Sequence, residues 1–237
     1  MRTVRGMPYV TAYEMKELDR ETIETCGIDV LSLMENAGTA VATVALELLG
    51  DNFGEKKVAC LAGKGNNGGD GLVAVRRLCN WGVAASVILA FPEADLGEIA
   101  SRQLKPLREM GVPILHAEVE LKGFDFLLDA LLGYNSRGNP REPIAGLVRR
   151  ANSSGIPVLA VDIPSGLDPT SGEPGDPCMV ARTTLALGLP KMGFLNPRSR
   201  AHTGRILLGD VSIPGSVYRS LGLDSPVFRG GPVISLA

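Results

Sequence analysis

Short, nearly continuous apolar runs recur along this chain with helical periodicity between them, and that alternation restricts the fold more than any other feature. Val58 to Ala62 is followed by Ala84 to Ala90, Val112 to Leu115, Phe126 to Leu132, Ile156 to Val161, Thr184 to Leu189 and Arg205 to Leu208. Strands that are apolar on both sides need cover on both faces, and parallel neighbours need a crossover between them. Helical stretches at Gly71 to Trp81, Asp95 to Met110 and Ile144 to Ser153 supply crossovers. The expectation is an α/β fold with a mostly parallel central sheet covered on both faces, its ligands collecting at the carboxyl ends of the strands.

Two further helices precede the sheet. Thr11 with Glu14 reads as a capping box that opens a polar helix ending near Cys26 and Gly27. Asp29 caps the second, whose apolar positions Leu33, Met34, Ala37, Val41, Val44, Ala45 and Leu48 keep helical spacing up to Gly50. Pro106, inside the Asp95 to Met110 stretch, predicts a kink or a break. No repeat or linker divides the sequence, so residues 1–237 read as one domain.

Composition argues against several classes of function. With 24 basic and 26 acidic residues the net charge is −2, which gives no long-range attraction for a nucleic acid, and 5% aromatic content makes base stacking no obvious theme. No apolar run approaches the roughly 18 residues of a membrane span, and the first residues lack the apolar core of a secretion signal. Cys26, Cys60, Cys79 and Cys178 show no CxxC spacing and sit mostly in apolar runs, which suits reduced thiols and a cytoplasmic location.

Three loops that follow apolar strands carry side chains ill suited to packing. In the first, Gly63, Gly65, Gly68, Gly69 and Gly71 alternate with Lys64, Asn66, Asn67 and Asp70. Glycines permit positive φ and close approach of a ligand, while the following helix offers its first amides to a phosphate. The segment contains a formal GxGxxG, which invites a dinucleotide-dependent dehydrogenase. The acidic residue expected at the end of the next strand is missing, since Val87 to Pro92 has none.

The second loop leaves the strand that carries Asp129 and runs through Tyr134 to Pro143. A carboxylate in an apolar strand needs either a cation or a complete set of hydrogen-bond donors, and the residues alone leave both open. The third, Val161 to Asp168, sets Asp162 at the end of a buried strand before a Pro-Ser-Gly turn, a placement that suits a general acid or base. Asp168 reads as a turn cap. His116 and His202 make no metal-ligand spacing, and Lys191 reads first as a surface lysine, with a ligand phosphate as its alternative role.

The order and spacing of Leu33 to Gly38, Gly63 to Gly71, Asp129 to Gly133, Val161 to Asp168 and Leu185 to Lys191 resemble the YjeF N-terminal domain family over nearly the whole chain. Its enzymatic members are NAD(P)H-hydrate epimerases. The resemblance implies a three-layer, Rossmann-like α/β/α sandwich, usually dimeric, that binds hydrated NADH or NADPH (NADHX or NADPHX). It implies substrate contacts from Asn66, Asn67, Gly68, Gly69 and Asp70, and from a second loop of Gly133, Tyr134, Asn135, Ser136, Arg137, Gly138 and Asn139. Asn67, Asp129 and Ser165 match the ligands of a potassium ion, and Asp162 matches the acidic residue beside the reacting ring. The expected reaction interconverts the R and S epimers at the sixth ring carbon, with Asp162 shuttling a proton to and from the departing hydroxyl. No dehydratase domain follows in this sequence, so repair is expected to couple to a separate dehydratase acting on the S epimer. The rival reading is a non-catalytic nucleotide-binding or dimerisation scaffold of the same fold, and a redox enzyme using NAD is a third.

Overall fold

In the computed structural model, which describes residues 2–4 and 6–236, the seven apolar runs and the later segment Val233–Ser235 form one eight-stranded sheet. Its strands are β3 (Lys57–Ala62), β4 (Ala84–Leu89), β5 (Ile114–His116), β6 (Phe126–Ala130), β7 (Val158–Val161), β8 (Thr183–Leu187), β9 (Arg205–Gly209) and β10 (Val233–Ser235). The spatial order is β10-β9-β8-β7-β6-β3-β4-β5, and every pairing is parallel except that of β10 with β9. A separate hairpin, β1 (Arg2–Val4) and β2 (Met7–Tyr9), precedes the first helix.

Alternate residues of the central strands feed two cores, as expected when both faces are covered. Val58, Cys60 and Ala62 of β3 join one buried cluster, and Ala59 and Leu61 join the other. The first face carries α2 (Val30–Leu49), α3 (Asn66–Asn80) and α4 (Glu98–Glu109), and the second carries α5 (Ile144–Ser154). The result is a three-layer α/β/α sandwich.

Helix α1 (Ala12–Glu24) has the reciprocal Thr11–Glu14 capping box, and Asp29 caps α2 by accepting from the Ser32 amide. Two expectations need correction. Helix α3 starts at Asn66 rather than near Gly71, and none of the glycines from Gly63 to Gly71 has positive φ. Gly63, Gly68, Gly69 and Gly71 are small because neighbours crowd them, as set out below, whereas Gly65 borders open space. Helix α4 runs unbroken through Pro106, because buried Leu104 and Leu107 tie its last turns to the core and offset the lost hydrogen bond.

The chain leaves β3 toward β4 and β5 on one side, then returns to place β6 on the other. Such a reversal opens a crevice at the carboxyl ends of the two strands flanking it. The crevice lies between β3 and β6, with β7 next to it.

Candidate active site

The loops after β3, β6 and β7 are pressed together at that crevice. Gly63 donates its amide to the Ala130 carbonyl at 3.0 Å, and a Cβ on Gly63 would lie 2.0 Å from the Leu131 oxygen. A Cβ on Gly68 would lie 2.0 Å from the Gly63 oxygen, and one on Gly69 would meet the Met34 side chain on α2. The glycines therefore allow backbone to touch backbone where a side chain has no room. Leu132 donates to the Ser165 hydroxyl at 2.9 Å, which binds the second loop to the third.

Asp129 and Ser165 are wholly buried. One Asp129 oxygen accepts from the Ser165 hydroxyl at 2.6 Å and the Leu131 amide at 3.3 Å, the other from the Ser165 amide at 2.8 Å. Burial nonetheless pushes the Asp129 carboxyl up to about 6, against the lowering effect of those donors. Asn67 stands on the first turn of α3, close enough to Gly133 that a Cβ there would lie 3.2 Å from its side-chain oxygen. Among the described residues the buried Asn67 amide nitrogen has no partner, and turning the amide over would present its oxygen to the same space. A carboxylate, a hydroxyl and an unsatisfied amide thus gather along residues 129–133, a donor set suited to a hard cation. Among the described residues no group of three His, Cys, Asp or Glu side chains is placed to hold a metal, and of the three residues gathered here only Asp129 carries a charge.

Beside these groups opens a pocket of about 720 Å³. Of the positions singled out in the sequence, Asn66, Asn67, Asp70, Gly133, Tyr134, Asn135, Ser136 and Asp162 line it. Gly68 and Gly69 are buried within α3, and Arg137, Gly138 and Asn139 are exposed residues outside the lining. The Asn139 side-chain oxygen instead accepts from the Asp176 amide at 3.0 Å.

Asp162 has a positive φ of 69°, uncommon for a residue with a side chain. One carboxylate oxygen accepts from the Lys191 ammonium and the Leu187 amide, the other from the Tyr134 amide at 3.0 Å. Lys191 is not a surface lysine but is 0% exposed, a correction to the sequence reading. The Asp162 carboxylate and the Leu187 carbonyl, 2.8 Å from its ammonium, compensate its burial, and Val10 pairs with it along the backbone from the segment before α1. No local pattern distinguishes such a lysine, whose partner lies 29 residues earlier in sequence.

A second residue escaped the sequence reading. Asp19, on the polar helix α1, lines the pocket and accepts from the Tyr134 hydroxyl at 2.5 Å. Burial raises its carboxyl above the ordinary range, with Tyr134 and Lys191 acting against that. Asp70 is raised well above the same range, first by burial and then by Asp162 and Asp19. Three carboxyl groups thus line the pocket, and the Lys191 ammonium pairs with one of them from outside the lining. Exposed Lys16 and Lys64 lie at its mouth, Lys64 over the Phe91 ring at 5.0 Å. Asp168 forms the expected turn cap through the Thr170 and Ser171 amides, and His202 is satisfied by the Met179 carbonyl.

Known proteins resemble this chain in sequence and fold. The crystal structure of yeast ynu0 superposes with a TM-score of 0.85 at 25% identity, over 97% of this chain and all of that one. An NAD(P)H-hydrate epimerase of Dehalogenimonas lykanthroporepellens is 38% identical over 93% of this chain and 90% of its own length. One from Aspergillus fumigatus is 32% identical over 93% and 92%. A bifunctional NAD(P)H-hydrate repair enzyme of Moorella thermoacetica is 33% identical over 88% of this chain, which spans 41% of that longer protein. The family described as YjeF-related protein N-terminus matches residues 30–193, from the start of α2 to just past Lys191, and this chain belongs to it.

Proposed function

We propose that this chain is an NAD(P)H-hydrate epimerase, an isomerase that interconverts the R and S epimers of NADHX and NADPHX. The observation that carries the reading is the polarity of the pocket: carboxyl groups of Asp19, Asp70 and Asp162 at its inner end, Lys16 and Lys64 at its mouth. Loss of the hydroxyl from the sixth ring carbon leaves a cation shared with the ring nitrogen, and fixed carboxylates stabilise such a charge as it develops. The basic mouth suits the phosphates of the same ligand. Asp162 stands beside the ring as the catalytic carboxylate, held in place by Lys191 and by the amides of Leu187 and Tyr134. Asn66, Asn67, Asp70 and Gly133 to Ser136 form the binding walls.

Potassium is the cation assigned to Asn67, Asp129 and Ser165. One buried carboxylate among neutral oxygens balances a single positive charge, and the unpartnered Asn67 amide offers a further ligand. When bound, the ion would contribute charge beside the loops that shape the pocket, while Asp129 and Ser165 keep those loops joined.

The bifunctional relatives support a coupling to NAD(P)H-hydrate dehydratase chemistry. A homodimer in the cytoplasm completes the reading, and sedimentation would measure the former. Among the described residues no helix is long and apolar enough to cross a membrane. The functional test mixes both epimers of NADHX with a dehydratase that consumes only the S form. Adding this chain should let the R form disappear as well; persistence of the R form at the rate of the uncatalysed control would refute the proposal.

A further inference from the structure

The three carboxyl groups of the inner pocket are not equivalent, and the difference assigns a second catalytic residue. Both oxygens of Asp162 are occupied by donors from within the protein: the Lys191 ammonium, the Leu187 amide and the Tyr134 amide. Three donors, one of them an ammonium, fix the orientation of this carboxylate at the pocket wall. Asp19 accepts a short hydrogen bond from the Tyr134 hydroxyl, which commits it to holding that loop. Asp70 differs from both. It lines the pocket from the second turn of α3, and among the described residues no hydrogen-bond donor meets its carboxyl group. The groups that act on it are the Asp162 and Asp19 carboxylates and the Lys191 ammonium. A half-buried carboxyl beside two other acids, without a donor of its own, is the one most easily kept protonated.

Resting on the epimerase reading, we propose that Asp70 is the proton donor of the reaction and Asp162 its counterpart base, the nicotinamide ring lying between them. The topology supplies the two sides. Asp70 follows β3 and Asp162 follows β7, and these strands flank β6, whose loop forms the floor between them. In the R-to-S direction the Asp70 carboxyl gives its proton to the hydroxyl on the sixth ring carbon. The carbon–oxygen bond breaks with its electron pair leaving as water, and the ring-nitrogen lone pair forms the carbon–nitrogen double bond. Water then adds to the other face as that double bond returns its electrons to nitrogen, and the proton it sheds passes to Asp162. The enzyme is left with Asp70 ionised and Asp162 protonated, the state that runs the S-to-R direction, and exchange with solvent restores the starting form. The raised position of the Asp70 carboxyl, due first to burial and then to Asp162 and Asp19, agrees with a donor that keeps its proton above the ordinary carboxylate range.

The test uses the whole chain with the R epimer of NADHX, the uncatalysed rate subtracted. Asp70→Asn should lower kcat by about a hundredfold or more, as expected for loss of a general acid, with KM changed less than about threefold. Asp70→Ala should regain part of its rate as formate buffer is raised at acid pH, where formic acid is present, because the small protonated acid entering the vacated space replaces the donor, an effect that a purely structural role would not produce. In the unmodified protein kcat should fall on the alkaline side, which requires no variant to fold. A kcat for Asp70→Asn within about threefold of the parent, a loss confined to KM, no rescue by formate, or a flat alkaline profile would each overturn the assignment. An active parent with an active Asp70→Asn removes Asp70 alone, whereas an inactive parent removes the epimerase reading too.

Discussion

Lys191 and Asp162 form an ion pair shut off from solvent, their side chains 0% and 4% exposed, and Asp162 carries it to the wall of the pocket where the chemistry is placed. The pair joins the segment after β8 to the end of β7 and leaves the Asp162 carboxylate no freedom to turn away.

Removing one partner of such a pair strands the other charge in a low-dielectric site. Lys191→Met should therefore lower unfolding stability by about 3–5 kcal/mol, measured by urea denaturation at neutral pH, and should abolish turnover even where the variant remains folded. A variant as stable and active as the parent would show that the ammonium is dispensable.

The unpartnered Asn67 amide separates cation binding from folding. Asn67→Ala removes no hydrogen bond within the protein that this amide nitrogen makes, so its stability without potassium should change by less than about 1 kcal/mol. The parent should melt at a higher temperature as potassium is raised, since a ligand at a hundred times its Kd adds about 2.7 kcal/mol. Asn67→Ala should lose most of that rise. An equal response in both proteins would place the ion elsewhere.

Asp70 also makes a prediction for stability against pH. Its carboxyl is raised in the folded protein, so between the unfolded value and the folded one the native state holds more protons than the unfolded chain. Stability therefore falls as pH rises through that window. Asp70→Asn removes the titration, and its urea midpoint should decline less than that of the parent between acid and mildly alkaline pH. Parallel declines would contradict it.

Gly63 tests the joint between the first two loops. A methyl group there would meet the Leu131 carbonyl oxygen at 2.0 Å, a contact only backbone movement relieves. Gly63→Ala should cost about 1–3 kcal/mol and reduce turnover with it, readable in the same denaturation and rate measurements. Unchanged values would mean that the two loops are not held in register by this contact.

Much of this was legible in the residues. Capping at Thr11 and Asp29 and the continuous apolar strands placed the helices and the parallel sheet, because those signals are local. Asp129 and Asp162 announced themselves as carboxylates in apolar surroundings. The start of α3 was obscured because Gly68 and Gly69 disfavour a helix on propensity alone, and only the crowding by Gly63 and Met34 explains them. Lys191 and Asp19 were illegible for a related reason. Each acquires its role from a partner far away in sequence, Asp162 for one and Tyr134 for the other. The three-residue strands β1, β2 and β10 are too short to carry a period.

The most direct test of the central claim is to give the purified protein, in potassium buffer, the R epimer of NADHX alone and to follow both epimers by chromatography. The account predicts protein-dependent appearance of the S epimer up to the equilibrium ratio, and its loss in Asp162→Asn. Formation of the S epimer no faster than in buffer, or undiminished turnover by Asp162→Asn, would contradict it.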